Sequence, residues 1–290
     1  MKAVLNPGAK INLGLRVLRK REDGYHDIIS VFQEISLEDI LEIEAGKGER
    51  SIRLECSGNL PRGPDNLAWQ AAETIMDATG VNLDVKMRLR KRIPVKAGLG
   101  GGSSDAAAVL KALAPLCGIG KEKLLQVAGE TGSDVPFFLT GGTALVRGRG
   151  DIISPIRTVP FHAVLVHPRV EVSTRDAYEL WDLENSRYLT NTDMFQHYSV
   201  PSAEWHEGKP FPHDLRNDFL PLLAERVPEI GEVADFLAEK MNGNWGLSGS
   251  GSTFFALFRS PVEARKFAGM LRWNHSICVT VGSAGASSNG

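Results

Sequence analysis

The segment Pro94-Val-Lys-Ala-Gly-Leu-Gly-Gly-Gly-Ser-Ser-Asp105, running into the apolar Ala106-Ala-Ala-Val-Leu-Lys-Ala-Leu113, decides how this chain is read. Glycines 98, 100, 101 and 102 remove side chains that would hold a ligand off the backbone, and they allow positive φ. Ser103 and Ser104 add hydroxyls and N-cap chemistry where a helix begins, which predicts a helix over Ser104–Leu116. Free N–H groups, the positive end of a helix dipole and close backbone approach together hold phosphate. The segment therefore predicts nucleotide binding. A Walker A loop requires Gly-Lys followed by Ser or Thr, whereas Gly46-Lys47, Gly120-Lys121 and Gly208-Lys209 are followed by Gly, Glu and Pro. A G-x-G-x-x-G loop fits Gly98 and Gly100 and fails at Ser103. A plain glycine-rich turn between strand and helix has the same composition and remains the alternative.

Bulk properties narrow the class. The chain has 290 residues, which suggests one or two domains at roughly 100–200 residues each. Its 42% hydrophobic and 23% charged residues are those of an ordinary globular protein. A net charge of −2 supplies no positive field for nucleic acid or anionic lipid. In the run Lys86–Arg92, Lys86, Arg88 and Arg90 alternate with Met87, Leu89 and Lys91, the pattern of a strand with one solvated face. Cys56, Cys117 and Cys278 are odd in number and widely spaced, with no C-x-x-C, which argues for a reducing compartment and against a zinc site. The N-terminal apolar stretch is too interrupted for a signal peptide, and no run approaches the ~18 apolar residues of a membrane span. A cytoplasmic protein is expected.

Strand-like alternation dominates the first third: Ile11, Leu13, Leu15 and Val17, then Ile40–Ile43, Ile52–Cys56, and Leu83, Val85, Met87 and Leu89. A helix is predicted from Asn66 to Thr79, starting after Asp65 and stopping at Gly80, and another over Lys121–Glu130. Turn residues at Gly148-Arg-Gly-Asp151 mark a break in composition. Beyond it come a strand (Phe161–Val166), a helix opening at the capping box Ser173-Thr-Arg-Asp176, and helices at Asp218–Glu225 and Pro228–Met241. Strand Thr253–Phe258, helix Pro261–Leu271 and strand Ile277–Val281 follow. This order predicts an α+β protein. Tyr188–Pro212 is aperiodic and reads as a long loop, and the small, polar tail reads as frayed.

Pro94 through Ser104 also resembles, at every fixed position, the loop Pro-x-x-x-Gly-Leu-Gly-x-Gly-Ser-Ser of the GHMP kinases, a superfamily of small-molecule kinases. Ala9-Lys-Ile-Asn-Leu13 resembles the first motif of that family, and Gly246-Leu-Ser-Gly-Ser-Gly-Ser-Thr-Phe-Phe255 its C-terminal glycine motif. Further blocks are similar to the members that phosphorylate the 2-hydroxyl of 4-diphosphocytidyl-2-C-methyl-D-erythritol in the non-mevalonate isoprenoid pathway. They are Arg21-Glu-Asp-Gly-Tyr-His-Asp27, Val31–Leu37, Pro64–Leu67, Gly132–Phe138, Val172-Ser-Thr174 with Tyr178, and Asn217-Asp-Phe219. Departures are Lys96, where a small residue is commoner, and the long 188–212 region. The resemblance implies a two-domain α+β fold: a mixed-sheet nucleotide-binding domain at residues 1–155 and a ferredoxin-like α/β plait at 156–283, with a disordered tail at 284–290.

The resemblance also implies roles. Phosphoryl transfer asks for positioning, charge stabilisation and an acidic group beside the attacking hydroxyl. Asp134 would take or orient the hydroxyl proton, and Lys10 would keep Asp134 ionised and balance charge on the transferred phosphoryl. By composition alone Asp134 suits a turn or N-cap and Lys10 a solvated strand position. Tyr25 and His26 would recognise the cytosine, with Asn12 and Thr174 as further polar contacts to the acceptor. Pro94, Val95, Lys96, Ala97, Gly98, Leu99, Gly100, Gly101, Gly102, Ser103 and Ser104 would hold ATP. Asn66 and Lys91 would lie near adenine, although a helix-start Asn and a solvated Lys look the same. Gly249–Ser252 would bring backbone N–H groups to the phosphate, or form a tight strand-entry turn. Mg²⁺ would accompany ATP with few protein ligands, Ser104 being a candidate whose hydroxyl equally suits a cap; no dedicated metal-binding set is expected. A monomer or weak homodimer acting on a small molecule follows, with no nucleic-acid or membrane partner. Homoserine, mevalonate or sugar phosphorylation, or nucleotide binding without catalysis, are the alternatives. Asp23-Gly-Tyr-His26 argues against the first group, and the Lys10 and Asp134 pair against the second.

Overall fold

The computed structural model describes residues 1–281 except Asn59, Val159, Arg169 and 186–214. The expected long loop and the expected frayed tail therefore lie outside the described residues. The first half runs β1 (Lys2–Leu5), β2 (Gly8–Lys20), β3 (His26–Glu38), β4 (Ile40–Lys47), β5 (Ser51–Cys56), α1 (Leu67–Thr79), β6 (Leu83–Arg90), α2 (Gly101–Cys117), α3 (Lys121–Thr131), α4 (Val135–Thr140), β7 (Thr143–Gly148) and β8 (Ile152–Pro155). The second half runs β9 (His162–His167), α5 (Thr174–Asn185), α6 (Phe219–Arg226), α7 (Pro228–Lys240), β10 (Trp245–Leu247), β11 (Phe254–Phe258), α8 (Pro261–Ala268) and β12 (Asn274–Val279).

Three four-stranded sheets result, ordered β1-β4-β6-β5, β2-β3-β7-β8 and β10-β11-β9-β12. The first is mixed, because β5 pairs parallel with β6. The third is antiparallel, and its connectivity β9–helices–β10–β11–α8–β12 is that of the expected α/β plait.

Side-chain alternation explains how these layers stack. On β3 and β7, Phe32, Ala144 and Val146 face one core, which also holds α1, α2 and the first sheet. Their neighbours Val31 and Leu145 face a second core with Ile11 and Leu13 of β2. The other wall of that second core is the plait, through Ala163, Leu165, Phe255 and Leu257. Val164, Val166, Phe254 and Ala256 point the opposite way, under the plait's helices. Strand β2 is therefore covered on both faces, and Lys10 and Asn12 are as buried as the apolar residues between them. The expected domain boundary falls in the link between β8 and β9 and stays a proposal, since one apolar layer joins the two halves.

Several expectations are corrected. Helix α2 begins at Gly101, three residues before Ser104, because Gly100 adopts φ 68° and forms the N-cap without a side-chain cap. Ser103 and Ser104 lie inside the first turn. Helix α1 is capped by Asn66, whose side chain accepts the Ala68 N–H at 2.9 Å. The turn residues Gly148–Asp151 form, as expected, a turn, that of the β7–β8 hairpin, closed by the Arg149 N–H on Asp151 at 3.1 Å. Lys86, Arg88 and Arg90 are exposed on β6 as expected, but Lys91, just past the strand end, is largely buried. The three cysteines are free thiols. Among the described residues no helix is long and apolar enough to cross a membrane, and no His/Cys/Asp/Glu cluster could hold a metal ion.

Candidate active site

One cavity of about 950 Å³ collects groups that the sequence scatters over its length. Its roof is the loop Pro94–Gly100, held from two sides. The Lys10 N–H of β2 donates to Leu99 C=O at 2.9 Å, and the Thr253 N–H of the C-terminal glycine loop donates to Ala97 C=O at 3.3 Å. The Ser248 hydroxyl donates to Gly98 C=O at 2.9 Å. The glycines serve this packing as much as any ligand. A Cβ on Gly98 would sit 2.1 Å from Ser248 C=O, at φ 75°, and one on Gly100 would meet Phe138 at 2.9 Å. Gly102 is different: a Cβ there would touch only Leu67, at 3.4 Å. The first hydrogen bond into α2 runs from Ser104 N–H to Gly100 C=O. The N–H groups of Gly101, Gly102 and Ser103 precede it, without a carbonyl partner in the helix, beside the cavity. Donors of that kind fit a polyphosphate.

At the floor, Lys10 Nζ lies 3.6 Å from Asp134 Oδ2, donates to Asn12 Oδ1 at 2.6 Å, and sits 4.5 Å above the Phe32 ring. Burial pushes the Lys10 ammonium below the ordinary lysine range, and Asp134 acts against that fall. Asp134 lies just before α4, and its side chain makes no capping hydrogen bond. Its backbone stands in the turn closed by the Val135 N–H on Gly132 C=O at 3.2 Å, as the turn alternative expects, while its carboxylate is left to face Lys10. Asn12 donates in turn to Ser30 at 2.9 Å. Its amide braces Lys10 while lining the cavity, and a contact from Asn12 to the acceptor stays a proposal.

A different chemistry marks the part of the lining around Tyr25 and His26. Residues Arg21–Tyr25 turn tightly, with the Arg21 N–H on Tyr25 C=O at 2.7 Å and the Tyr25 N–H on Asp23 at 3.1 Å. The turn leaves the Tyr25 ring 55% exposed, with the Arg149 guanidinium 5.5 Å from its centroid. His26 is buried, stacked on Tyr178 at 4.9 Å and met edge-on by Trp181 at 5.4 Å. Its Nε2 lies 2.6 Å from Asp182 Oδ1, and Lys20 reaches the other carboxylate oxygen at 2.5 Å. Partial burial alone would raise the Asp182 carboxyl, but the bonds from Lys20 and His26 outweigh it and hold it below the usual range.

The remaining predicted residues fall in place as follows. Thr174 opens α5 and lines the cavity, its hydroxyl 2.9 Å from that of Ser250. Asn66 lines the cavity while capping α1. Lys91 lines it as well, although its ammonium is bound to Asp39 and, at 2.7 Å, to Asp105. Desolvation raises the Asp105 carboxyl to about 7, with Lys91 opposing, and its Oδ1 has no hydrogen-bond partner. Lys96 takes the left-handed conformation at φ 52° and pairs with Glu171 at 3.2 Å. Of the predicted loop, only Ser104 is outside the wall, buried with its N–H bound to Gly100. The sequence reading missed Asp105, Arg149, Tyr178 and Asp182 as cavity residues. Helical spacing of Thr174, Tyr178 and Asp182 was the available signal for the last two.

The family profile of the GHMP kinases N terminal domain matches residues 66–142, and that of the GHMP kinases C terminal matches residues 209–274. A protein of Caldanaerobacter subterraneus subsp. tengcongensis is 37% identical, covering 89% of this chain and 88% of its own. One from Solibacter usitatus is 42% identical over 87% and 79%, and one from Thermotoga maritima 40% identical over 90% and 93%. All three are named 4-diphosphocytidyl-2-C-methyl-D-erythritol kinase. A crystal structure of 4-(cytidine 5'-diphospho)-2C-methyl-D-erythritol kinase superposes with a TM-score of 0.76 at 33% identity, over 97% of this chain and 100% of that one. Homoserine kinase from Cytophaga hutchinsonii, 19% identical with a TM-score of 0.64 over 97% and 95% of the chains, shares the fold.

Proposed function

The chain belongs to the GHMP kinases, in the family of the 4-diphosphocytidyl-2-C-methyl-D-erythritol kinases, and from that premise we propose how its residues divide the work. The reaction is an ATP-dependent phosphorylation of the 2-hydroxyl of the cytidyl alcohol, a step of non-mevalonate isoprenoid synthesis. Bound ATP would supply the phosphoryl group, and Mg²⁺ would offset the negative charge of its phosphates. The N–H groups of Gly101, Gly102 and Ser103 would hold those oxygens at the start of α2, with Pro94–Gly100 shaping the loop around them. Asn66 and Lys91 would border the adenine side.

Asp134 accepts the proton of the attacking hydroxyl or orients that hydroxyl toward the phosphorus. Lys10 keeps Asp134 ionised and sets a positive charge where negative charge grows in the transition state. Asn12 positions Lys10. Tyr25 offers a stacking face to the cytosine, His26 a hydrogen bond to its edge, and Thr174 a hydroxyl to the acceptor. The observation that carries this division is the 3.6 Å pairing of Lys10 with Asp134 in the same cavity as the free N–H groups of α2. The reading is of a cytoplasmic enzyme, monomeric or a weak homodimer, acting on a small molecule without nucleic-acid or membrane partners.

The test is ADP release with Mg-ATP and the cytidyl alcohol, run beside homoserine and mevalonate. Turnover is expected with the cytidyl alcohol alone. Turnover of another acceptor in its place, or of none, would overturn the reading.

A further inference from the structure

Asp182 stands on the third turn of α5 and lines the cavity beside His26. One carboxylate oxygen meets His26 Nε2 at 2.6 Å, and the other accepts from Lys20 at 2.5 Å. Tyr178 covers one face of the imidazole and Trp181 meets it edge-on, which restrains the ring. An ionised carboxylate can only accept, so the hydrogen of this bond resides on Nε2. In the neutral ring that leaves Nδ1 with a lone pair, and among the described residues no group is hydrogen-bonded to it.

We propose that Asp182 is a specificity-determining positioning residue: by accepting the Nε2–H of His26 it selects the tautomer whose Nδ1 accepts the 4-amino group of cytosine and rejects a 4-oxo base. The chemistry follows from the two pyrimidine edges. Cytosine presents a donor at position 4, and uracil presents an acceptor there. An Nδ1 lone pair matches the first and meets the second with two acceptors and no hydrogen between them. A site built around one hydrogen bond rejects the mismatched analogue strongly, because its own polar atom is left unpaired. Without Asp182 the ring can place its hydrogen on Nδ1, and the distinction is lost. This inference rests on the assignment of Tyr25 and His26 to the base, made above.

The experiment measures kcat and KM of the wild-type enzyme and of Asp182→Ala with two acceptors, the cytidyl alcohol and its uridyl analogue. ¹⁵N NMR of the imidazole of His26 in both free proteins reads which ring nitrogen bears the hydrogen. The wild type is expected to prefer the cytidyl acceptor by roughly 10²-fold or more and to show the Nε2–H tautomer. In Asp182→Ala that preference should fall at least about tenfold, through a higher KM for the cytidyl acceptor at nearly constant kcat, with Nδ1–H now populated. An unchanged preference, an equal loss with both acceptors, or an unaltered tautomer would overturn the proposal. A wild-type protein that turns over neither acceptor would instead overturn the functional reading beneath it, and the NMR result distinguishes the two failures.

Discussion

Lys10 is a buried cation whose neighbours are few: a carboxylate at 3.6 Å, an amide oxygen at 2.6 Å and the face of Phe32. An uncompensated ammonium there would be costly, so the pair with Asp134 serves folding as well as the chemistry proposed for it. Asp134→Asn keeps the shape and removes the proton acceptor. We expect kcat to fall by about 10²-fold or more, with KM for ATP within about threefold, a typical loss for a general base; steady-state kinetics check this, and near-normal turnover would remove Asp134 from the mechanism. Asp105 gives a prediction about pH. Its carboxyl, raised to about 7 by desolvation, binds a proton more tightly in the folded than in the unfolded chain. Stability from this group is therefore greatest in acid and declines as the pH rises from about 4 through about 7. Asp105→Asn abolishes that decline. Denaturant unfolding of both proteins between about pH 4 and 8 should show the difference moving in favour of the variant by up to about 1.4 kcal/mol per pH unit. A difference independent of pH would contradict the raised value. None of this was legible from Asp105 in the sequence, where it reads as one polar residue at the head of an alanine-rich helix. Its burial arises from Lys91 and Asp39, brought in from β6 and the β3–β4 link.

At the scale of elements, two glycines with nearly the same backbone angle do different things. Gly80 ends α1 at φ 69° with nothing near the place of a Cβ, whereas Gly98 has φ 75° and a backbone oxygen 2.1 Å from it. Gly80→Ala should cost only the left-handed strain of about 1–2 kcal/mol and leave KM for ATP alone. Gly98→Ala must also push the phosphate loop off Ser248, and misplacement by about 1 Å can cost roughly 10²-fold in rate. We expect it to raise KM for ATP or lower kcat by at least tenfold, beyond any change in thermal midpoint. Equal behaviour of the two variants would show that the contact with Ser248 does not matter. The helices with strong periodicity were readable: α1, α3 and α7 fall within a residue or two of their expected bounds. Short or two-faced elements were not. Helix α4 has six residues, and β7 is buried along Thr143–Val146, which erases the alternation that betrays a strand.

At the scale of the whole molecule, the plait and the β2-β3-β7-β8 sheet share an apolar layer, with Phe255 fully buried between them. The two sequence halves should therefore melt together. Far-UV circular dichroism and tryptophan emission are expected to give coincident unfolding curves. Phe255→Ala should shift both by about 3–5 kcal/mol. Two separated transitions would mean that the halves are stable independently. The same layer explains why the active site has walls from both halves: the Ser248 hydroxyl reaches Gly98 only because Ile11, Leu13, Leu165 and Phe255 pack the sheets against each other.

The sequence by itself determined the glycine-rich loop and the helix it opens, the order of most elements, and the identity of Lys10, Asp134, Tyr25 and His26 as residues to watch. These are legible because turn chemistry, helical period and a dense motif are local properties of the chain. Only the tertiary structure decided which groups meet and which are already engaged. Asn12 and Lys91 are bound to other side chains, Ser104 lies behind the wall, and Asp182 holds His26 from a helix that no local pattern ties to it. Burial and hydrogen-bond partnership depend on segments far apart in the chain, and a linear pattern carries no record of what will pack against it.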